Sequence, residues 1–448
     1  MKSFTPNQLK DHRISETYYH SNSNKAPVFS QLIDRQTADI CVIGGGLTGV
    51  STALNLAEKG FSVILLEAHR IGSGASGRNG GQIVHGYSCD MDVISKTLGK
   101  QKAIMLWDLA LEAIEAIDRR INIHNILCER KSGYIFAATN TSQFGDLQHI
   151  DGKLRNFYNY NNTVVLDKKA LKKWVKTDRY AGGLLDYGSG HFHSLNYLYG
   201  LTKAASDIGV QLFENSEITQ IIRGDSLTIK TNFGSVKAKT LVLAGNAYLE
   251  GLENTLQQKI VRITSTVGVT TPLSIDQIND VLPGGTAVAD CNNILDYFRI
   301  TGDQRLLFGA GADYLGRETK NKKGFIRERI LKLFPQLNNF DLEFAWDGYI
   351  AGTRNQLPEI RQLQSNIYIA HGFSGHGLAL TGLAGMLISE KISGNSKRFD
   401  VFSKIKHYNV PQSVIRNPLL VAAMLFEKLL LKVQWTLSWK VVLGMQLI

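Results

Sequence analysis

The sequence predicts an α/β protein, α+β overall. A domain built on a parallel sheet is interleaved with a mainly antiparallel β domain, and a C-terminal helical tail follows. Three observations predict this. Residues 38–66 read as strand, glycine turn, helix and strand within about 30 residues, the βαβ pattern. A second strand, glycine turn and helix occupies 367–392, more than 300 residues later. Between them lies a strand-rich stretch at 260–310.

Residues 1–36 read as a polar lead-in with little periodicity. Ala38–Ile43 is short, apolar and β-branched, the pattern of a buried strand. Leu47–Lys59 has helical spacing and stops at Gly60, a natural C′ residue. Phe61–Leu66 is a second buried strand ending at Glu67. A glycine-rich loop spans 71–86, and Ala103–Ile117 has strong helical periodicity. From 130 to 190 the signal is mixed, with a strand near Tyr134–Ala138 and a turn at Gly182-Gly183. Leu195–Ile208 reads as a helix, Leu241–Ala244 as a buried strand, and Tyr297–Ile300 and Arg305–Phe308 as strands. A basic helix near Gly324–Leu333 precedes Pro335; strand Ile367–Ala370 and helix Gly377–Ile392 complete the pattern. The expected division is 37–90, 191–260 and 350–398 for the nucleotide domain, 91–190 and 261–349 for a substrate domain, and 399–448 for the tail.

Composition narrows the class. Hydrophobic residues are 44% and charged residues 20%, so a core is easily built and disorder is excluded. Glycine is abundant and proline scarce, 42 against 8, which points to close backbone approaches rather than linkers. Cys41, Cys89, Cys128 and Cys291 are far apart and form no C-x-x-C pair, so free thiols in a reducing, cytoplasmic setting are expected. The N-terminus shows no apolar signal segment, and no run reaches about 18 apolar residues. The tail from 419 to 448 is apolar with few charges, which leaves a peripheral contact with the inner face of a membrane open. The net charge of +11 comes from scattered residues without an aromatic-interleaved basic patch, so no nucleic-acid partner is expected. His191 and His193 share a strand face but find no third ligand at useful spacing, so no metal is expected.

Gly44-Gly45-Gly46-Leu47-Thr48-Gly49 matches G-x-G-x-x-G between strand and helix, with Glu67 closing the next strand. This is the Rossmann-type fingerprint. Gly44 permits the tight turn, Gly46 lets a pyrophosphate reach the backbone, and Gly49 lets helix and strand pack closely. The helix N-terminus offers free N–H groups to the anion. A carboxylate at Glu67 suits a free ribose hydroxyl, favouring FAD or NAD over NADP.

Beyond Glu67 the loop GSGASGRNGGQ at 72–82 follows, and with HFHSLNYLYGL at 191–201, LVLAGNAYL at 241–249, DYFRI at 296–300, RLLFG at 305–309 and HGFSGHGLALTGLAG at 371–385 it resembles the D-amino-acid-oxidase-like FAD oxidoreductases. Within them it resembles the γ-glutamylputrescine oxidase branch. The resemblance runs from about Tyr18 to about Pro418. It implies an FAD enzyme with Ala68 beside Glu67 at the adenosine end. Ser73, Ala75, Ser76, Arg78, Asn79, Gly80, Gly81 and Gln82 would lie along the flavin. Ile218 would meet adenine, Ala244 and Gly245 the pyrophosphate, and Gly375-His376-Gly377 the pyrimidine end of the ring. Strands 296–300 and 344–350 would face the ring, which makes His193, Tyr297, Arg299 and Trp346 the candidate catalytic and pocket residues. Aromatic walls suit a thin aliphatic amine, and Arg299 suits a remote carboxylate.

Two departures refine the expectation. Sarcosine oxidases of this kind carry a carboxylate-pairing lysine two residues beyond the F-S-G-H-G motif, where this chain has Ala379. They also tether FAD through a cysteine before that motif, and 341–375 contains none, so non-covalent FAD is expected. The implied reaction removes hydride from the carbon beside an amine, with oxygen or a quinone as final acceptor. The alternatives are a membrane-docked dehydrogenase passing electrons to quinone and a nucleic-acid-binding or tRNA-modifying flavoprotein.

Overall fold

The computed structural model describes residues 17–249, 252, 254–292 and 294–410. The apolar tail at 419–448 lies outside them. Two sheets carry the chain. In the eight-stranded sheet, Arg35–Ile43 is central, with Val63–Leu66 and Ser235–Leu243 parallel on its two sides. Gln211–Phe213 and Ile367–His371 extend the parallel order, and Glu359–Gln364 closes one edge antiparallel. Helices pack on the Ile40 and Val42 face and the strand pair 218–231 on the Cys41 and Ile43 face, so all four are buried and the strand reads as an unbroken apolar run. Helix Leu47–Ala57 leaves the central strand and packs against Gly377–Ile392 and Ser194–Asp207.

The nine-stranded second sheet is antiparallel except where Ala287–Asp290 pairs with Lys131–Ala138. Leu342–Thr353, Ile260–Thr270, Leu306–Asp313 and Tyr297–Ile300 lie side by side in it. Helix Lys322–Leu333 buries Ile326 and Ile330 against Phe298, Phe308 and Phe334 on one face. The opposite face turns toward the nucleotide sheet.

Several expectations are corrected. Gly182-Gly183 is no turn: it opens strand Gly182–His191. A Cβ on Gly182 would stand 2.4 Å from the Phe144 ring, so the glycine lets helix Thr141–Tyr158 lie on the sheet. That helix left no clear sequence signal because it buries only Leu147 and Leu154. The polar lead-in hides a short helix, Tyr18–Ser21, whose two tyrosines are fully buried. Strand Leu342–Thr353 runs past the junction expected near 350. Helix Lys100–Ile123, expected in the substrate domain, buries Ala103, Leu106 and Ala110 in the same core as Val50 and Leu383 of the nucleotide domain. Among the described residues, no helix is long and apolar enough to cross a membrane.

Candidate active site

The first strand ends at Ile43 and the chain turns through Gly44, where φ is +111°. A Cβ there would be 2.9 Å from the carbonyl oxygen of Ala244, so the two strand ends meet only because position 44 is glycine. At Gly49 a Cβ would fall 1.9 Å from the Gly44 oxygen, the close helix–strand contact the fingerprint requires. Gly46 caps the helix with no side-chain hydrogen bond. Ser76 Oγ accepts from Leu47 N at 2.9 Å, which ties the second glycine-rich loop to that helix start. Glu67 accepts from Gly45 N at 2.6 Å and His69 N at 2.9 Å. Burial pushes its carboxyl up, and those two N–H groups pull it back.

These elements open onto a cleft of about 1110 Å³. Gly44, Gly46, Leu47, Thr48, Glu67 and Ala68 line one end, and Ser73, Ala75, Ser76, Arg78, Asn79, Gly80 and Gln82 run along it. Ile218, Ala244, Gly245, Gly375, His376 and Gly377 also line it. Of the residues expected to hold a cofactor, Gly49 and Gly81 alone stand behind the wall. Asn79 holds the loop in shape. Its Nδ2 donates to Ala75 O, Ser76 O and Ser194 Oγ, and its Oδ1 accepts from Gly81 N. Arg78 donates to Ser73 O at 3.0 Å.

At the other end, His376 caps helix Gly377–Ile392 without a side-chain hydrogen bond. Its Nδ1 is buried and has no partner. Burial holds the ring neutral, pushed down to about 4. The cleft joins two helix N-termini whose own cap residues give no side-chain hydrogen bond, a carboxylate at the end of the second strand and an unpartnered ring nitrogen. That donor set fits FAD, whose pyrophosphate, ribose hydroxyls and ring edge need those groups.

The four candidate pocket residues do not stand together at the surface of the cleft. Tyr297 lines it, with its ring against Gly80 and Gly309 and its hydroxyl 3.3 Å from Ser265 Oγ. Arg299 is 1% exposed and lies beneath the wall, donating to Gly80 O at 2.9 Å and to Tyr19 Oη at 3.2 Å. It is therefore turned away from any substrate carboxylate. Trp346 is also buried beneath the wall, its Nε1 donating to Arg78 O at 2.9 Å. His193 caps helix Ser194–Asp207, accepting from Asn196 N at 3.1 Å, and is fully buried. Arg299 and Trp346 share a reason: both sit one layer below the backbone of 78–81, to which they donate, while the rings of Tyr18 and Tyr19 lie 5.8 and 4.9 Å from that of His193. His191 contacts Gly285 O through Nε2 at 3.0 Å; among the described residues no cluster of His, Cys, Asp or Glu is arranged to hold a metal.

Other wall residues escaped the sequence reading. Val261, Ile263, Ser265 and Val267 line the cleft from one strand, and their spacing of two is the signal that would have found them. Tyr134, Leu295 and Tyr314 close the compartment beside Tyr297.

The family model described as FAD dependent oxidoreductase (DAO) matches residues 39–391. The chain is 40% identical over 400 residues to the gamma-glutamylputrescine oxidoreductase of Escherichia coli K12, covering 89% of this chain and 93% of that protein. It is 40% identical over 395 residues to a probable oxidoreductase, OrdL, of Haemophilus influenzae, covering 87% and 91%. The crystal structure of glycine oxidase from Geobacillus kaustophilus superposes with a TM-score of 0.69 at 20% identity, over 84% of this chain and 100% of that one, and so shares the fold. Neither the membrane-docked dehydrogenase nor the nucleic-acid-binding flavoprotein is favoured by these relatives. With the fingerprint, the second glycine turn and the cleft between them in place, the chain belongs to the family of FAD-dependent oxidoreductases.

Proposed function

We propose that this enzyme oxidises γ-glutamylputrescine, or a similar primary or secondary amine, at the carbon beside nitrogen. From γ-glutamylputrescine or another primary amine the products are an aldehyde, ammonia and hydrogen peroxide; from a secondary amine a primary amine leaves in place of ammonia. The observation that carries this reading is the absence of a cation at position 379, where the resemblance gives sarcosine oxidases a carboxylate-pairing lysine. Position 379 is Ala, 2% exposed in the helix beyond His376, and Arg299 is committed to Gly80 and Tyr19. A carboxylate next to the reacting carbon is held by neither. The compartment beside Tyr297 is instead walled by Tyr134, Leu295 and Val267, which suits an aliphatic chain.

Bound FAD supplies the two-electron acceptor for the hydride that leaves the amine carbon. The chain's own residues orient and desolvate. Glu67 would accept from ribose hydroxyls, the helix start at Gly46 and Thr48 would meet the pyrophosphate, and Ile218 would border adenine through its backbone. Ala244 and Gly245 would flank the pyrophosphate, and Gly375, His376 and Gly377 would hold the pyrimidine edge. Tyr297 would hold the amine carbon against the flavin. The amine must bind neutral, and for a group with a pKa of about 10.4 that costs roughly 4–5 kcal/mol at pH 7. Exclusion of water by the apolar wall reduces this cost. Loss of hydride leaves an imine. Water adds to it and ammonia departs, and oxygen takes up the two electrons and two protons as peroxide.

The test is anaerobic bleaching of the holoenzyme by γ-glutamylputrescine, putrescine, sarcosine and D-alanine, paired with peroxide release in air. Bleaching by the first, or by both diamine derivatives, is expected. Bleaching confined to sarcosine and D-alanine overturns the reading. Bleaching by the amine without peroxide, relieved by an added quinone, overturns oxygen as acceptor.

A further inference from the structure

We propose that Arg299 is a positioning residue that tunes the electron affinity of the bound flavin from behind the Gly80–Gly81 backbone. The inference rests on the reading that 75–82 lies along the flavin ring.

Arg299 is among the largest fully buried side chains of the protein. Its Nε donates to Gly80 O and its Nη2 to Tyr19 Oη, both neutral acceptors. Its Nη1 is buried and has no partner. Among the described residues it makes no ion pair. The carboxylates in this region are engaged elsewhere: Asp303 accepts from Tyr18 Oη, Thr301 Oγ1 and Arg305, and Glu129 accepts from Gly302 N. Removing a guanidinium from water without a counter-ion is expensive, and burying it with an unsatisfied N–H adds to that. Its neighbours register the charge: after burial itself, Arg299 is the next cause holding His191 and His193 down at about 3.

One backbone layer separates this charge from the cleft. Gly80 lines the cleft, and its carbonyl points inward to Arg299. Gly81 has φ +73°, and a Cβ there would stand 2.8 Å from both Arg299 Nη2 and Tyr19 Oη. Two adjacent glycines thus let the guanidinium approach as closely as a backbone allows while the side chain never touches the ligand. A fixed positive charge in a dry site favours whatever gains negative charge beside it. A flavin gains that charge on two-electron reduction. The unmet cost of burying Arg299 in the protein is offset when the ring is reduced. Its charge also disfavours a protonated amine over the same ring.

The test uses the FAD-loaded full chain with Arg299→Gln and Arg299→Lys. The readouts are the flavin midpoint potential and the affinity for sulfite, which adds to oxidised flavins in proportion to their electron affinity. Gln can still donate to Gly80 O but carries no charge. We expect Arg299→Gln to retain FAD, to bind sulfite at least about tenfold more weakly and to lower the flavin midpoint potential. Arg299→Lys is expected to stay within about threefold of the parent. Unchanged sulfite affinity in Arg299→Gln, or equal shifts in both variants, overturns the proposal, since shape would then matter and charge would not. If Arg299→Gln does not fold, Tyr19→Phe decides: it leaves the charge in place, so sulfite affinity must hold or tighten, and a tenfold loss overturns the proposal. A purified chain that binds no FAD instead overturns the placement of the ring on which the inference rests.

Discussion

Glu67 accepts a hydrogen bond from the backbone N–H of Gly45 at 2.6 Å, joining the end of the second strand to the centre of the first glycine loop. The carboxylate thus holds the loop as well as lining the cleft, where we propose it meets the adenosine ribose. Glu67→Gln keeps the shape and loses the charge. A hydrogen bond to a charged group contributes about 1.5–3 kcal/mol, so FAD should dissociate roughly ten- to a hundredfold more readily. Titration of apoprotein with FAD, followed by flavin fluorescence quenching, measures this. A dissociation constant unchanged by the substitution would mean that the ribose is held elsewhere.

The buried histidines make the fold acid-sensitive. Burial, and then Arg299, hold His191 and His193 at about 3, against about 6.5 in an unfolded chain. Between these values the unfolded chain takes up protons that the folded one refuses. Stability is therefore full above about pH 6.5 and declines as pH falls below it. At pH 5 each histidine accounts for at most about 2 kcal/mol. The melting temperature should fall by a few degrees between pH 7 and pH 5, and His191→Gln should make that slope shallower. A flat profile over this range would show that both rings protonate freely in the folded protein.

How much of this was visible beforehand follows from the range of the interactions. Gly44, Gly46, Gly49 and Glu67 lie within one βαβ unit, and local spacing determines their roles, so the sequence alone places them. Tyr297 and Arg299 sit two apart on one strand face, and the family resemblance assigns that strand to the cleft. It cannot show that the Gly80–Gly81 backbone crosses above Arg299 and leaves Tyr297 uncovered. Tyr18 and Tyr19 were hidden for a related reason. Their helix is four residues long and shows no period, and their burial depends on distant partners such as Asp303 and Arg299. The wall strand of Val261, Ile263, Ser265 and Val267 did carry a period of two against polar Arg262, Thr264 and Thr266, but a period marks a strand face without saying that the face lines a cleft.

Tyr297 separates wall from chemistry. Its hydroxyl makes a single contact at 3.3 Å with Ser265 Oγ, while its ring fills the space over Gly80 and Gly309. Tyr297→Phe should leave kcat/KM for the amine within about threefold, since a neutral hydrogen bond contributes about 0.5–1.5 kcal/mol and this one is long. Tyr297→Ala removes the wall, and KM should rise about tenfold or more with a smaller change in kcat. Steady-state peroxide assays distinguish the two. A loss of a hundredfold in kcat for Tyr297→Phe would instead assign the hydroxyl a part in proton transfer.

Ala379 tests the proposed substrate. It is buried on the helix that starts at Gly377 and lines the cleft, and by the resemblance it takes the place of the lysine with which sarcosine oxidases pair a carboxylate. Ala379→Lys places a cation there. A cation repels an ammonium and raises the free energy of binding any amine that arrives protonated, and a penalty of about 1.4 kcal/mol is a tenfold loss. The substitution should lower kcat/KM for γ-glutamylputrescine at least about tenfold and raise that for sarcosine above the parent value. The melting temperature of the variant, measured in parallel, shows whether the longer side chain is accommodated. If the lysine is accommodated with FAD bound and both substrates respond alike, position 379 does not face the reacting carbon, and the case for a remote-carboxylate amine loses the observation that carries it.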